Sequence, residues 1–118
     1  ANKKKNKRNY SAYFDTPIEQ QKAAIFFLDK IINASSSNTI LVSIPRPQDF
    51  KKLSTGLNLN EIYWNKYFYD KDLNNDKFKF VDLIRYQTQN IRDLFLECDG
   101  HWSPEGNMWV AKIVFDHL

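Results

Sequence analysis

The chain has 118 residues, a hydrophobic fraction of 42% and a formal net charge of +3. This composition is sufficient for the core of one small domain and excludes a chain that is disordered throughout. No apolar run approaches the roughly 20 residues of a membrane-spanning helix, so no transmembrane segment is expected in this chain. The single cysteine, Cys98, excludes an internal disulfide.

Residues 1–15 are expected to form a basic, flexible arm. Five of the 17 Lys and Arg residues precede Asn9, so the rest of the chain has more acidic than basic side chains. A basic tail can bind nucleic acid or anionic lipid. However, no aromatic side chain interleaves the lysines, as a strand-binding surface requires. We therefore favour a solvated linker and expect no nucleic-acid partner, although Tyr10, Tyr13 and Phe14 could dock on the body.

The first predicted element is a helix that runs to about Asn33. Thr16 is placed to cap it, Pro17 suits the first helical position, and Glu19 follows three residues after the cap. The apolar face of this helix consists of Ala24, Ile25, Phe27, Leu28, Ile31 and Ile32. After a polar break, residues 39–44 form a continuous apolar run, which is typical of a parallel strand that is covered on both faces.

Two further helical segments and a strand are predicted in the middle of the chain. Asp49 could cap a short helical turn over residues 50–53. Residues 61–69 have a helical pattern with a large aromatic content, and we assign these side chains to the core. They are Ile62, Tyr63, Trp64, Tyr67 and Phe68. A turn rich in Asn and Asp leads to a second strand over residues 78–84.

Residues 85–97 are ambiguous, although Ile91, Leu94 and Phe95 indicate a short helix. The overall order of helices and strands predicts an α/β fold with a parallel sheet and right-handed crossovers. Two strands alone make a marginal sheet and cannot bury the apolar surface of these helices. We therefore expect further strands, supplied either by polypeptide that precedes residue 1 or by a second copy. For the same reason, we expect the chain to self-associate.

Residues 98–111 hold the candidate functional residues. His101 follows Asp99 by two positions, and a helix start comes directly afterwards. Ser103 can cap this helix, Pro104 suits its first position, and Glu105 lies near the positive end of the helix dipole. The pattern predicts that His101 lies on a short loop that is anchored by a packed helix.

The string Asp99-Gly100-His101-Trp102-Ser103-Pro104-Glu105-Gly106 resembles the last conserved block of the SGNH/GDSL hydrolases. In that family, an Asp and a His near the C-terminus complete a Ser-His-Asp triad. The usual spacing is Asp-x-x-His, and the shorter Asp-x-His found here resembles the SGNH-like acetyltransferases that act on bacterial exopolysaccharides. The motif covers about a tenth of the chain, and the resemblance extends loosely over residues 17–118.

This resemblance implies the C-terminal part, over residues 16–118, of a three-layer α/β/α domain of the flavodoxin-like SGNH type. It implies catalytic roles for Asp99 and His101, and an ester or an acetylated carbohydrate as the substrate. No cofactor or metal is implied. Trp102 could line a binding site for an acyl group or a sugar, or it could pack in the core.

The nucleophile that the family requires has no candidate in this sequence. The only glycines are Gly56, Gly100 and Gly106, so neither a Gly-Asp-Ser block nor a Gly-x-Asn-Asp block occurs. Ser43 falls in a predicted strand, and Ser103 in a predicted cap. We therefore expect the serine on polypeptide outside this chain, and no hydrolase activity from the chain alone.

Other interpretations of the same residues remain open. His101 could simply form hydrogen bonds within its loop, and together with Asp99 it offers only two of the three protein ligands of a typical catalytic zinc site. Cys98 is interpreted as a small buried apolar residue. In a different class, the chain could be a non-catalytic interaction module whose exposed sheet edge recruits a partner or a second copy.

Overall fold

A computed structural model describes residues 9–86 and 90–118. The described chain contains helices, two strands and short 3₁₀ turns. The elements are α1 (Ile18–Ala34), β1 (Thr39–Ser43), α2 (Pro47–Ser54), α3 (Asn65–Asn74), β2 (Phe78–Asp82) and α4 (Pro104–Asp116). The 3₁₀ turns are Leu59–Glu61, Leu83–Arg85 and Ile91–Leu94. The protein is therefore an α/β fold. Most of the predicted basic arm, residues 1–8, lies outside the described residues.

The two strands form a parallel pair, as the sequence predicts. Their register places Thr39 opposite Phe78 and Ser43 opposite Asp82. Every residue of β1 is only half-buried, whereas β2 is buried except at Lys79. The prediction that the first strand is covered on both faces is therefore wrong for the described chain. The second strand ends two residues earlier than predicted, because a 3₁₀ turn buries the side chains of Leu83 and Ile84.

Alternate residues of β2 pack against different helices. Phe78 and Phe80 share a cluster with Ile32 of α1 and Phe68 of α3. Val81 belongs to another cluster with Ile113 of α4. Successive side chains of a strand point to opposite faces of the sheet. The helices α1 and α3 therefore cover one face of β2, and α4 covers the other.

The start of α1 differs from the predicted cap. Pro17 occupies the capping position, and no side chain caps the helix. The Thr16 hydroxyl instead donates a hydrogen bond to the Ala12 carbonyl oxygen at 2.6 Å. This acceptor is within reach because the preceding turn is closed by the bond from the Asp15 N–H to the Ser11 carbonyl oxygen, at 2.7 Å.

The outer part of the predicted apolar face of α1 is not covered. Ile32 is buried, but Phe27 and Ile31 are 63% and 67% exposed. These two side chains lie one helical turn apart and form an apolar stripe beside the packed face. None of the described helices combines the length and the apolar character needed to cross a membrane.

The second helix begins before the predicted cap residue. Pro47 is its first residue, so Asp49 lies within the first turn, where its carboxylate accepts a hydrogen bond from the Arg46 N–H at 2.7 Å. The aromatic segment begins as a 3₁₀ turn, and α3 starts only at Asn65. The predicted burial of this segment's side chains in the core is confirmed for Ile62 and Phe68, whereas Tyr67 is exposed.

Candidate functional site

A closed loop over residues 95–102 presents Asp99 and His101. An isolated antiparallel bridge pairs Phe95 with Trp102 at the base of the loop. The Leu96 N–H donates to the His101 carbonyl oxygen at 2.9 Å, and the Ser103 N–H donates to the Leu94 carbonyl oxygen at 2.8 Å. The predicted short helix before this loop is the 3₁₀ turn Ile91–Leu94. These backbone bonds fix both ends of the loop.

Aromatic packing supports the base of this loop. The rings of Phe95 and Trp102 are stacked, with centroids 4.5 Å apart and planes 20° apart. Phe95 also contacts Phe50 of α2 edge to face. The ring centroids of Trp102 and Trp109 of α4 are 5.9 Å apart. Trp102 is therefore a packing residue that joins the loop to α4, and its predicted contact with substrate stays a prediction.

The N-terminus of α4 holds the loop from the other side. Ser103 caps this helix, as predicted, by accepting a hydrogen bond from the Gly106 N–H at 3.0 Å. The same hydroxyl donates to the Asp93 carbonyl oxygen, so it is occupied in both directions. A Cβ atom on Gly106 would lie 2.0 Å from the Leu94 carbonyl oxygen. The close approach of α4 to the loop therefore requires glycine at this position.

Asp99 and His101 are in direct contact. The Asp99 carboxylate is hydrogen-bonded to the Nδ1 atom of the His101 ring. The same carboxylate oxygen accepts a hydrogen bond from the His101 N–H at 3.0 Å. The chain reverses direction just before them, because Cys98 adopts a left-handed backbone with φ of 58°. No local sequence pattern marks Cys98 as the residue that turns the chain. Cys98 is also exposed, so its interpretation as a buried residue is wrong.

The pair is open to solvent. The His101 side chain is 84% exposed and that of Asp99 is 48% exposed. Hydrogen bonds from the ring and the N–H of His101 lower the pKa of the Asp99 carboxyl. Asp99 is therefore ionised at neutral pH and favours the tautomer with the proton on Nδ1. Within residues 9–86 and 90–118, Nε2 of this ring has no hydrogen-bond partner, so it is available as a base.

A groove of about 1300 Å³ runs beside the pair, between α2 and the loop. Its apolar lining includes Phe50, Ile91 and Phe95, and its polar lining includes Gln48 and Asp99. The other charged groups along it are Lys51, Arg92, Asp93, Glu97 and Glu105. A ligand in this groove would contact the Asp99 side of the pair.

The remaining candidates are not assembled around His101. The Ser43 hydroxyl donates a hydrogen bond to the Asp82 carboxylate at the end of the sheet. Over residues 9–86 and 90–118, no three His, Cys, Asp or Glu side chains converge as metal ligands. The second histidine, His117, is held by the Tyr86 hydroxyl and the Ile113 carbonyl oxygen.

A second polar cluster is present that was not predicted from the sequence. It comprises Ser11, Tyr13, Ser43, Asp49 and Asp82, and it lies at the carboxyl ends of the strands. Burial raises the pKa of the Asp49 and Asp82 carboxyls. No local sequence pattern marks this cluster, because its hydrogen bonds join residues 38 and 39 positions apart.

Comparisons of this chain with protein-family models, with curated proteins and with solved structures found no match.

Proposed function

We propose that Asp99 and His101 are the acid–base pair of an SGNH-type ester hydrolase or O-acyltransferase. The observation that carries this proposal is the contact of the Asp99 carboxylate with Nδ1, which leaves Nε2 open to solvent. This is the arrangement that a Ser-His-Asp site requires of its histidine. The anchored loop adds support, because a general base must be held in place to work efficiently.

The chemistry divides into two steps. In the first, Nε2 of His101 accepts the proton of a serine hydroxyl while the serine oxygen attacks the ester carbonyl carbon. His101 then returns that proton to the leaving oxygen as the C–O bond breaks, and the acyl group stays on the serine. In the second step, water or a sugar hydroxyl attacks in the same way. The Asp99 carboxylate stabilises the imidazolium that forms in each step.

The serine in this proposal comes from a polypeptide segment upstream of these 118 residues. Two features of the fold support this part of the proposal. The helices on opposite faces of β2 suit a three-layer α/β/α domain, and β1 is half-buried along its whole length. A strand added beside β1 would complete the sheet that two strands leave marginal. The proposed substrate is an ester, such as an acetylated carbohydrate.

A second candidate function is a non-catalytic interaction module. The exposed apolar stripe formed by Phe27 and Ile31, together with the half-buried β1, favours a protein contact. The same surface would receive the serine-bearing segment in the first proposal. The two proposals therefore differ in whether His101 acts on a substrate.

The test compares His101→Ala, Asp99→Asn and His117→Ala in the product of the complete gene. Rates of p-nitrophenyl acetate hydrolysis and of acetyl release from acetylated oligosaccharides are measured. We expect His101→Ala and Asp99→Asn to lower kcat by about 10²–10⁴-fold, because each removes a part of the acid–base pair. His117→Ala is the control and should leave kcat unchanged.

Two results would contradict the catalytic proposal. One is a gene product whose hydrolysis rate does not respond to His101→Ala. The other concerns only the location of the serine: an activity burst from the 118-residue chain alone that disappears in His101→Ala would show that the chain contains its own nucleophile. The interaction module predicts self-association or partner capture instead. Light scattering that shows a monodisperse monomer at high concentration would count against self-association.

A further inference from the structure

The peptide bond between Asp99 and Gly100 lies at the exposed tip of the loop. Asp99 is the only Asp in the chain that is followed by glycine. Residues 97–101 belong to no helix or strand, and Asp99 and Gly100 are both exposed. A Cβ atom built on Gly100 meets no atom of the described chain within 4 Å. This peptide bond is therefore accessible to water and is not crowded by packed side chains.

The Asp99 side chain is folded toward this peptide bond. One carboxylate oxygen accepts a hydrogen bond from the N–H of His101, two residues further on, at 3.0 Å. An Asp side chain that is bonded in this way lies over the residue between, which here is Gly100. In the described part of the chain, the Gly100 N–H donates no hydrogen bond. An unengaged amide nitrogen therefore follows a carboxyl carbon with which it can close a five-membered ring.

We propose that Asp99 and Gly100 form a site of spontaneous isomerisation, at which the aspartate converts to isoaspartate. The Gly100 nitrogen bonds to Cγ of the protonated Asp99 carboxyl, and the N–H proton and the carboxyl hydroxyl leave as one water molecule. Water then opens the cyclic imide. Addition at the main-chain carbonyl carbon of Asp99 breaks its bond to the Gly100 nitrogen and gives isoaspartate, whereas addition at Cγ restores aspartate.

Two features of the loop set the rate of this reaction. Glycine promotes ring closure, because it has no Cβ to hinder the approach of its nitrogen to the carboxyl carbon. The contact with His101 opposes ring closure, because it lowers the pKa of the Asp99 carboxyl and an ionised carboxylate is a poor electrophile. We therefore expect isoaspartate to accumulate over weeks rather than hours.

Isomerisation would separate Asp99 from His101. The main chain of isoaspartate is longer by one carbon, and its carboxylate is attached directly to Cα. This carboxylate cannot keep the bonds that the Asp99 side chain makes to the N–H and to Nδ1 of His101. The proposal does not depend on a catalytic role for His101, since the reaction uses only the chain and water.

Peptide mapping of the chain stored at pH 6 and 37 °C tests the proposal. Isoaspartate has the same mass as aspartate, but electron-transfer dissociation distinguishes the two by their backbone fragments. Isoaspartate should form at residue 99 about tenfold faster than at the exposed Asp76, which is followed by the bulkier Lys77. Gly100→Ala should slow the reaction at residue 99 about tenfold, because its Cβ hinders the nitrogen. The open space around Gly100 allows this variant to keep the fold.

Isoaspartate at residue 99 that does not exceed the level at Asp76 would overturn the proposal, and so would equal rates in the wild type and in Gly100→Ala. The ¹⁵N chemical shifts of the two imidazole rings test the separation of the pair. The ring shifts of His101 should change in proportion to the isoaspartate content, whereas those of His117 should stay constant. Unchanged His101 shifts in an isomerised sample would overturn the expected loss of the contact.

Discussion

The Asp99–His101 loop and the buried polar cluster around Asp49 and Asp82 both contain carboxylates that accept hydrogen bonds, but they are built in opposite ways. The loop pair joins residues two positions apart, on the surface. The cluster joins Ser11 to Asp49 and Ser43 to Asp82, residues 38 and 39 positions apart, in the interior. Burial raises the pKa of the cluster carboxyls, whereas the His101 contact lowers that of Asp99. The surface pair is therefore held ionised and open to solvent, whereas burial opposes ionisation of the interior carboxyls.

The largest stability effect is expected where the loop meets α4. Gly106→Ala should lower the free energy of unfolding by about 3 kcal/mol, because its Cβ would collide with the backbone of Leu94. The matched control is Gly100→Ala, since a Cβ at Gly100 meets no atom of the described chain within 4 Å. It should change stability by less than about 0.5 kcal/mol. Urea denaturation of both variants measures the contrast.

Equal losses in the two glycine variants would contradict this contrast. The residues at the tip of the loop, around Gly100, would then stabilise it as much as the packed residues at its base. A loss confined to Gly106→Ala would instead locate the rigidity of the Asp99–His101 pair in the contact between Leu94 and α4.

The two regions should respond to pH in opposite directions. A carboxyl whose pKa is raised by folding stabilises the folded state when it is protonated. The contribution of Asp82 to the free energy of unfolding should therefore be present at low pH and decline as the pH rises through its folded pKa. Asp99 has a lowered pKa, so its contribution should be present above the unfolded pKa and disappear as the pH falls through the folded pKa.

The measurement is the free energy of unfolding of the wild type, Asp82→Asn and Asp99→Asn between pH 3 and pH 7. Relative to the wild type, Asp82→Asn should gain stability as the pH rises, and Asp99→Asn should lose it. The Asp99 effect is expected to be the smaller one, because its carboxylate is solvated. The same sign in both variants would show that the two carboxyls do not differ in environment.

The contrast between the two regions also explains what the sequence could predict. The Ser103 cap, the helix after it and the proximity of Asp99 and His101 depend on neighbouring residues, so local pattern was sufficient. The parallel strand pair followed from the alternation of elements. Docking of Tyr13 on the body was raised from the sequence as a possibility, but its partners Phe50 and Ile62 could not be predicted, because these contacts join distant segments that have no common period. Thr16 and Asp49 had the expected capping chemistry, but the nearby turn and Pro47 changed their partners.

The smallest expected effect is at Cys98, where the loop turns. Its φ of 58° is in the left-handed region, which costs a non-glycine residue about 1–2 kcal/mol. Cys98→Gly removes this cost. It also increases the conformational entropy of the unfolded chain, which lowers the free energy of unfolding by about 0.4–1 kcal/mol. The net change should be a stabilisation of about 0.5 kcal/mol, measured as a higher urea midpoint. Cys98→Ser, which keeps the strain and removes the thiol, is the control and should leave the midpoint unchanged. A lower midpoint in Cys98→Gly would mean that the thiol side chain holds the loop, and the Asp99–His101 pair would then depend on the loop tip as well as on its packed base.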